Sequence, residues 1–321
     1  MRLAVPLLLL LAGACAAPGA GRVAVHADAG EPGAPRLLAV VAHPDDETAF
    51  AATLFKAATH LGAACDVVVL TNGEGGFKYA TLAERLYGRE LTDEPVGRAH
   101  LPEIRRDEML AGARLLGVRD VYFFNQADHR YTQDVDEVLG EGAEVWDLAA
   151  VRATLVELLL SGEYDFVLTH APTPTTHAHH QAASLLAVEA AARLAPAERP
   201  VLLAAQTAEL GEATAPAPAT VDRPGALLLD APPLLFDRTQ PFGHRDRLDY
   251  RIVVNWVIAE HKSQGTMQLA VNGRPLERFF LYAANAKGAR ERAEAFFEAL
   301  RGAQFEARDY GASAGTNAAR A

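Results

Sequence analysis

An α/β domain is the fold class this chain predicts, a mostly parallel sheet covered by helices on both faces, and three observations point to it. Apolar runs of strand length recur near 37–42, 65–70, 119–124, 165–169 and 201–205. Between them, apolar residues fall at helical spacing near 46–61, 103–116, 146–160 and 178–194. Two of the strand runs end in turns rich in ligand residues, one in His and Asp and the other in His, and the carboxyl ends of strands are where open α/β sheets bind ligands. Strict strand–helix alternation without an internal repeat gives one Rossmann-like domain, with boundaries at 36–301.

Before that domain, Met1-Arg2 and the apolar run Leu3 to Leu11 form a short positive region and a segment too short to span a bilayer. Small residues follow, so 1–15 is expected to be a secretory signal. Leu11-Ala12-Gly13-Ala14-Cys15 resembles a lipoprotein box, in which Cys15 carries the lipid; cleavage after Ala16 is the other route. Either way the domain is expected to be extracytoplasmic, with membrane anchoring preferred over free secretion. Ala16 to Pro35, rich in Ala, Gly and Pro, is expected to be a flexible tether.

The first strand, Leu37-Leu38-Ala39-Val40-Val41, is apolar throughout, as a strand buried on both faces should be. The helix after it carries Phe50, Leu54, Ala57 or Ala58, and Leu61 on one face. Cys65 opens the second strand as a small core residue. With Cys15 lipidated or removed, no disulfide can form, and stability must come from the core, which a chain of 321 residues can supply. Gly73-Glu74-Gly75-Gly76 is not a dinucleotide fingerprint, because Lys78 stands where the third glycine would fall, so this loop is expected to line the binding pocket. Phe77 to Pro102 is expected to be a lid or binding loop, or else to hold a short helix around 81–87. Ala, Pro and Thr up to Pro224 mark an exposed stretch; further strands and helices near 249–263 and 288–300 follow, and 302–321 is expected to fray.

The net charge of −11 with neutral histidines, and the lack of any basic run, exclude nucleic acid and an anionic membrane surface as obvious partners. A membrane contact is expected only through a lipid on Cys15.

The chemistry concentrates in two stretches. In Ala42-His43-Pro44-Asp45-Asp46-Glu47, one histidine and three carboxylates sit on a strand-to-helix turn. Pro and acidic residues also suit a helix start, but capping has no use for the histidine. His43 and Asp46 have the reach and spacing to share one metal ion, and Asp45 between them could stay free as a base. The second stretch, Thr169 to His180, holds four histidines in eleven residues, His170, His177, His179 and His180. Two ligands from one strand end and one from another commonly build a three-ligand catalytic metal site.

With both stretches in view, the chain resembles the PIG-L/LmbE family of zinc-dependent de-N-acetylases. The resemblance is carried in order by Ala42 to Glu47, Thr71-Asn72-Gly73-Glu74-Gly75, Arg105-Arg106-Asp107-Glu108 and Leu116-Gly117-Val118. It continues through Asp128, the His177-x-x-His180 pair and Ala259-Glu260-His261-Lys262-Ser263-Gln264, spanning Arg36 to Gln264. The family's usual Gly-His-Pro-Asp-His is here Thr176-His177-Ala178-His179-His180, which keeps the outer histidines.

The resemblance implies His43, Asp46 and His180 as metal ligands, with zinc the preferred ion and other divalent metals compatible. It implies Asp45 as the base, and His177, as imidazolium, as stabiliser of the oxyanion and donor to the leaving amine. Arg105 is expected to bind a substrate hydroxyl or phosphate, or to pair with Glu108 or Asp107. Asp128 is expected to contact sugar hydroxyls or to orient a ligand histidine. His170 and His179 are expected to face solvent or support the ligands, and His261 to be structural. The implied activity is hydrolysis of an N-acetyl group on an amino sugar or glycan conjugate. The alternatives are an amidase on another N-acyl substrate, or a non-catalytic surface lipoprotein that binds glycan and holds zinc structurally.

Overall fold

The computed structural model describes residues 21–27 and 29–303. The expected signal, Cys15 and most of the tail after 302 lie outside them. An eight-stranded sheet forms the centre, in the order β1-β4-β3-β2-β5-β6-β10-β7. Five strands, β2 (Arg36–Val41), β3 (Ala64–Thr71), β4 (Asp120–Gln126), β5 (Phe166–His170) and β6 (Val201–Ala208), run parallel. β1 (Gly21–Ala24), β7 (Leu234–Asp237) and β10 (Leu276–Leu281) pair antiparallel at the two edges. β8 (Pro241–Phe242) and β9 (Leu248–Asp249) form a separate two-stranded ribbon.

Alternation along β2 explains the layers. Leu37, Ala39 and Val41 face one core, with Leu54 of α1 (Ala51–His60), Met109 of α3 (Glu94–Leu116), Val254 of α7 (Arg251–Glu260) and Phe296 of α8 (Ala289–Gly302). Leu38 and Val40 face the other, with Val138 of α4 (Asp136–Leu139), Leu155 of α5 (Leu148–Gly162) and Leu186 of α6 (Ala178–Ala192). A strand apolar on both sides is what two helical layers require.

Two expectations are corrected and one open alternative is decided. The tether expected over 16–35 is interrupted by β1, whose side chains alternate and whose Arg22 guanidinium makes two 2.9 Å bonds to the buried Asp120 carboxylate. Its short Arg-Val-Ala run lies inside a small-residue stretch, so composition hid it. The helix expected to begin at 103 begins at Glu94: Asp93 accepts from the Val96 amide at its start, and Pro102 lies inside the helix. Proline is disfavoured there, and α3 tolerates it. Of the two readings of Phe77 to Pro102, the short helix is the one found: the segment holds α2 (Thr81–Tyr87), closed by Gly88 at φ 64°, and the first turns of α3.

Buried charge ties the sheet to the turn after β2. Glu277 on β10 is fully buried and accepts from the Ala52 and Thr53 amides, 3.0 Å each, at the amino end of α1. Arg238 donates to it at 2.9 Å and to the carbonyls of Thr48 and Ala49. Removing one partner of a buried pair strands the other charge. Glu277→Ala should therefore cost about 3–5 kcal/mol, seen as a lower urea midpoint at unchanged slope. A midpoint equal to wild type would refute the account.

Candidate metal centre

Connections run from β2 outward through β3 to β4, then reverse through β5 to β6 on the other side. The sheet's direction of growth therefore switches between β2 and β5, the crevice where such folds place ligands. His43 follows the end of β2, and His170 to His180 follow β5. Gly73 and Asp128 come from the ends of β3 and β4.

His43, Asp46 and His180 offer ligand atoms that all lie within 4.8 Å of one another. His43 Nδ1 is 3.1 Å from His180 Nε2, and His180 Nε2 is 3.1 Å from Asp46 Oδ1. Asp46 Oδ2 lies 3.5 Å from His43 Nδ1. Metal–ligand bonds of about 2.0–2.2 Å set tetrahedral edges of roughly 3.3–3.6 Å. The donor set therefore fits one divalent ion with little adjustment.

The backbone explains how Asp46 comes to face inward. Its Oδ2 accepts from the Ala42 and His43 amides at 3.0 and 2.8 Å, folding the side chain back over its own strand end. Oδ1 is left toward His180. Burial opposes charge on Asp46, yet His180 and His43 hold its carboxyl well below the usual carboxylate range. Burial also opposes charge on His43, but Asp46 and Asp128 outweigh it and push the imidazole up to about 9. A metal ion thus competes with a proton at this ring.

Asp45 stands at the N-cap position of the turn that follows but makes no side-chain cap bond, so capping does not use its carboxylate. It sits at φ 131°, ψ −18°, far from where residues with a side chain rest. Burial, and then the charge of Asp46, push its carboxyl up to about 7.

Asp128 is buried and accepts from the Gly75 amide at 3.0 Å. Its other oxygen lies 3.9 Å from His43 Nε2 and 3.4 Å from His179 Nδ1. Asp128 thus lies behind the His43 ring, on the side from which carboxylates orient metal-bound imidazoles. Arg105 is corrected. It is 2 % exposed and gives its guanidinium to the carbonyls of Gly73 and Gly76 and to Ser263 Oγ, so it braces the glycine loop and has no free face for substrate.

His177 stacks on His43, ring centroids 5.1 Å apart, and its Nε2 donates to the Arg130 carbonyl at 2.9 Å. Burial and His43 push it down to about 4, so the imidazolium expected of it is disfavoured near neutrality. His179, expected to face solvent or support the ligands, is fully buried: Nδ1 lies 3.2 Å from His43 Nε2, and Nε2 lies 3.0 Å from His129 Nδ1. His170 Nε2 lies 3.1 Å from the Asp46 carbonyl. His129 went unremarked in the sequence, although its place directly after Asp128 at a strand end was a usable signal.

Residues 38–191 match the family model described as PIG-L, GlcNAc-PI de-N-acetylase. That segment is a PIG-L family domain. Among solved structures, it is similar to the A40926 pseudoaglycone deacetylase at 20 % identity, TM-score 0.50, over 79 % of this chain and 99 % of that one. A deacetylase of teicoplanin biosynthesis matches at 18 % identity, TM-score 0.50, over 77 % and 98 %. N,N'-diacetylchitobiose deacetylase from Pyrococcus horikoshii matches at 19 % identity, TM-score 0.49, over 79 % and 85 %. The two matches at TM-score 0.50 show a shared fold.

Proposed function

We propose that this protein is a metal-dependent hydrolase that removes the N-acetyl group from an N-acetylated amino sugar or its conjugate. The observation that carries the reading is the meeting of His43, Asp46 and His180 beside an uncommitted Asp45, at the switch point of a PIG-L domain. The deacetylases with similar folds support it.

A divalent cation held by His43, Asp46 and His180, zinc by the two-nitrogen, one-carboxylate donor set, would supply Lewis-acid polarisation of the amide carbonyl and acidify a water. Asp45 accepts the proton of that water as its oxygen forms the new bond to the acetyl carbon. The C–N bond then breaks, and the amine nitrogen takes a proton as it leaves, since an amide anion is too basic to depart. Asp45, now protonated, is the group placed to return it, because His177 is held neutral with its Nε2–H spent on Arg130. Asp128 and His179, behind His43, keep the ligand ring from turning. The signal-like Leu3 to Leu11 run and Cys15 support a location outside the cytoplasm with a lipid anchor, which favours an envelope or extracellular glycan as substrate.

The test is acetate release by zinc-loaded enzyme from N-acetylglucosamine conjugates and from N-acyl amino acids. Release from the sugars in preference is expected. Hydrolysis of the N-acyl amino acids alone would replace this reading with a general amidase, and zinc binding without release from either would replace it with a glycan-binding protein.

A further inference from the structure

The base candidate holds a backbone conformation that needs explaining. At φ 131°, ψ −18°, Asp45 stands where a residue with a side chain costs of order 1–3 kcal/mol and persists only when its surroundings over-determine it. The contacts that do so are local, at Glu47 and Thr48, and are backed by residues from the far end of the chain. Asp45 N donates to Glu47 Oε2 at 3.1 Å, and Thr48 Oγ1 donates to the Asp45 carbonyl at 2.7 Å. Glu47 Oε1 lies 2.6 Å from His261 Nε2, both side chains fully buried. Gln264 Nε2 donates to the carbonyl of Pro44, the residue before Asp45.

The same segment reaches the opposite wall of the site. Ser263 bonds Glu108 through its amide at 2.8 Å and its hydroxyl at 2.7 Å, and receives Arg105 Nε at 3.3 Å. Arg105 in turn holds the Gly73 and Gly76 carbonyls. Gly112 of α3 leaves room for this: a Cβ there would lie 3.3 Å from Glu47 Oε1 and 3.5 Å from His261 Nε2.

We propose that His261 and Gln264, outside the family-matched 38–191, act with Glu47 as positioning residues that lock the Asp45 turn in its strained, reaction-ready form. The inference rests on the proposed role of Asp45 as base. It assigns a task to the Glu-His-Lys-Ser-Gln stretch: one buried ion pair fixes the amide of Asp45 and one amide side chain fixes the carbonyl before it. Losing either lets the turn relax into an ordinary conformation that carries the carboxylate away from the attacking water, while His43, Asp46 and His180 keep their own contacts.

Three variants of the full-length, zinc-loaded enzyme test this. Gln264→Ala removes the bond to Pro44. The pair Glu47→Leu with His261→Phe removes both buried partners together, which avoids stranding a charge. Glu47→Gln retains one acceptor for the Asp45 amide. Zinc stoichiometry, kcat, KM and hydrogen exchange at the Asp45 amide are measured on each. For Gln264→Ala and for the double variant, zinc content and KM should match wild type while kcat falls at least about tenfold, as angstrom-scale misplacement of a reacting group does. Asp45 exchange should quicken by a similar factor, and Glu47→Gln should recover most of both. Unchanged exchange at Asp45 in Gln264→Ala, or unchanged kcat with only a lowered melting temperature, would overturn the proposal. Should wild type release no acetate, the hydrolase reading fails, whereas the exchange measurement still decides the brace.

Discussion

Asp45→Asn should leave zinc bound at wild-type stoichiometry and reduce kcat by about 10²–10⁴-fold, the contribution typical of a positioned general base. Asparagine matches the aspartate in shape, so the strained turn and its bonds to Glu47 and Thr48 can persist. What it lacks is a lone pair basic enough to accept a proton. The pH profile supplies an independent check. Burial and Asp46 push the Asp45 carboxyl up to about 7, and a base works only when ionised, so kcat/KM should fall as pH drops through that region and level off above it. A cation on the neighbouring ligands favours the carboxylate and moves this limb to lower pH. In the asparagine variant the limb should vanish from the residual rate. Full activity of Asp45→Asn, or an unaltered limb, would remove Asp45 from the role.

The second large effect is expected at His180→Ala. Of three ligands, His180 alone comes from beyond β5, in the first turn of α6, so its loss leaves only His43 and Asp46, both on one turn, from the three-ligand set. Stoichiometric zinc should be lost on dialysis and turnover with it. Stability gives a readout that needs no substrate: a ligand at 100 times its dissociation constant raises stability by about 2.7 kcal/mol. Zinc should therefore raise the melting temperature of wild type and of Asp45→Asn, and leave that of His180→Ala where it was. A zinc-dependent shift that survives in His180→Ala would place the ion elsewhere.

Much of this site was legible because its ligands lie in compact stretches at strand ends. His43, Asp46, His177 and His180 are visible as pattern, and the strands before them are continuous apolar runs. Arg105 shows where legibility stops. A charge in a motif looks the same whether it meets substrate or three protein acceptors, and only burial separates the two. His261 and Glu47 lie 214 residues apart, and no local periodicity announces that they will touch. β1 was hidden for a different reason, since four residues amid alanine and glycine carry too little hydrophobic signal to stand out, and their pairing is decided by Asp120 on the neighbouring strand. Pro102 misled by obeying a rule the helix overrides.

The pairing of β1 also has a directional consequence. It runs antiparallel to β4, with Ala24 opposite Asp120 and Gly21 opposite Phe123, so the backbone followed from Ala24 back to Gly21 travels toward the rim that bears the histidines. Gly21, the amino end of β1, therefore points to the side of the sheet on which the candidate metal centre opens.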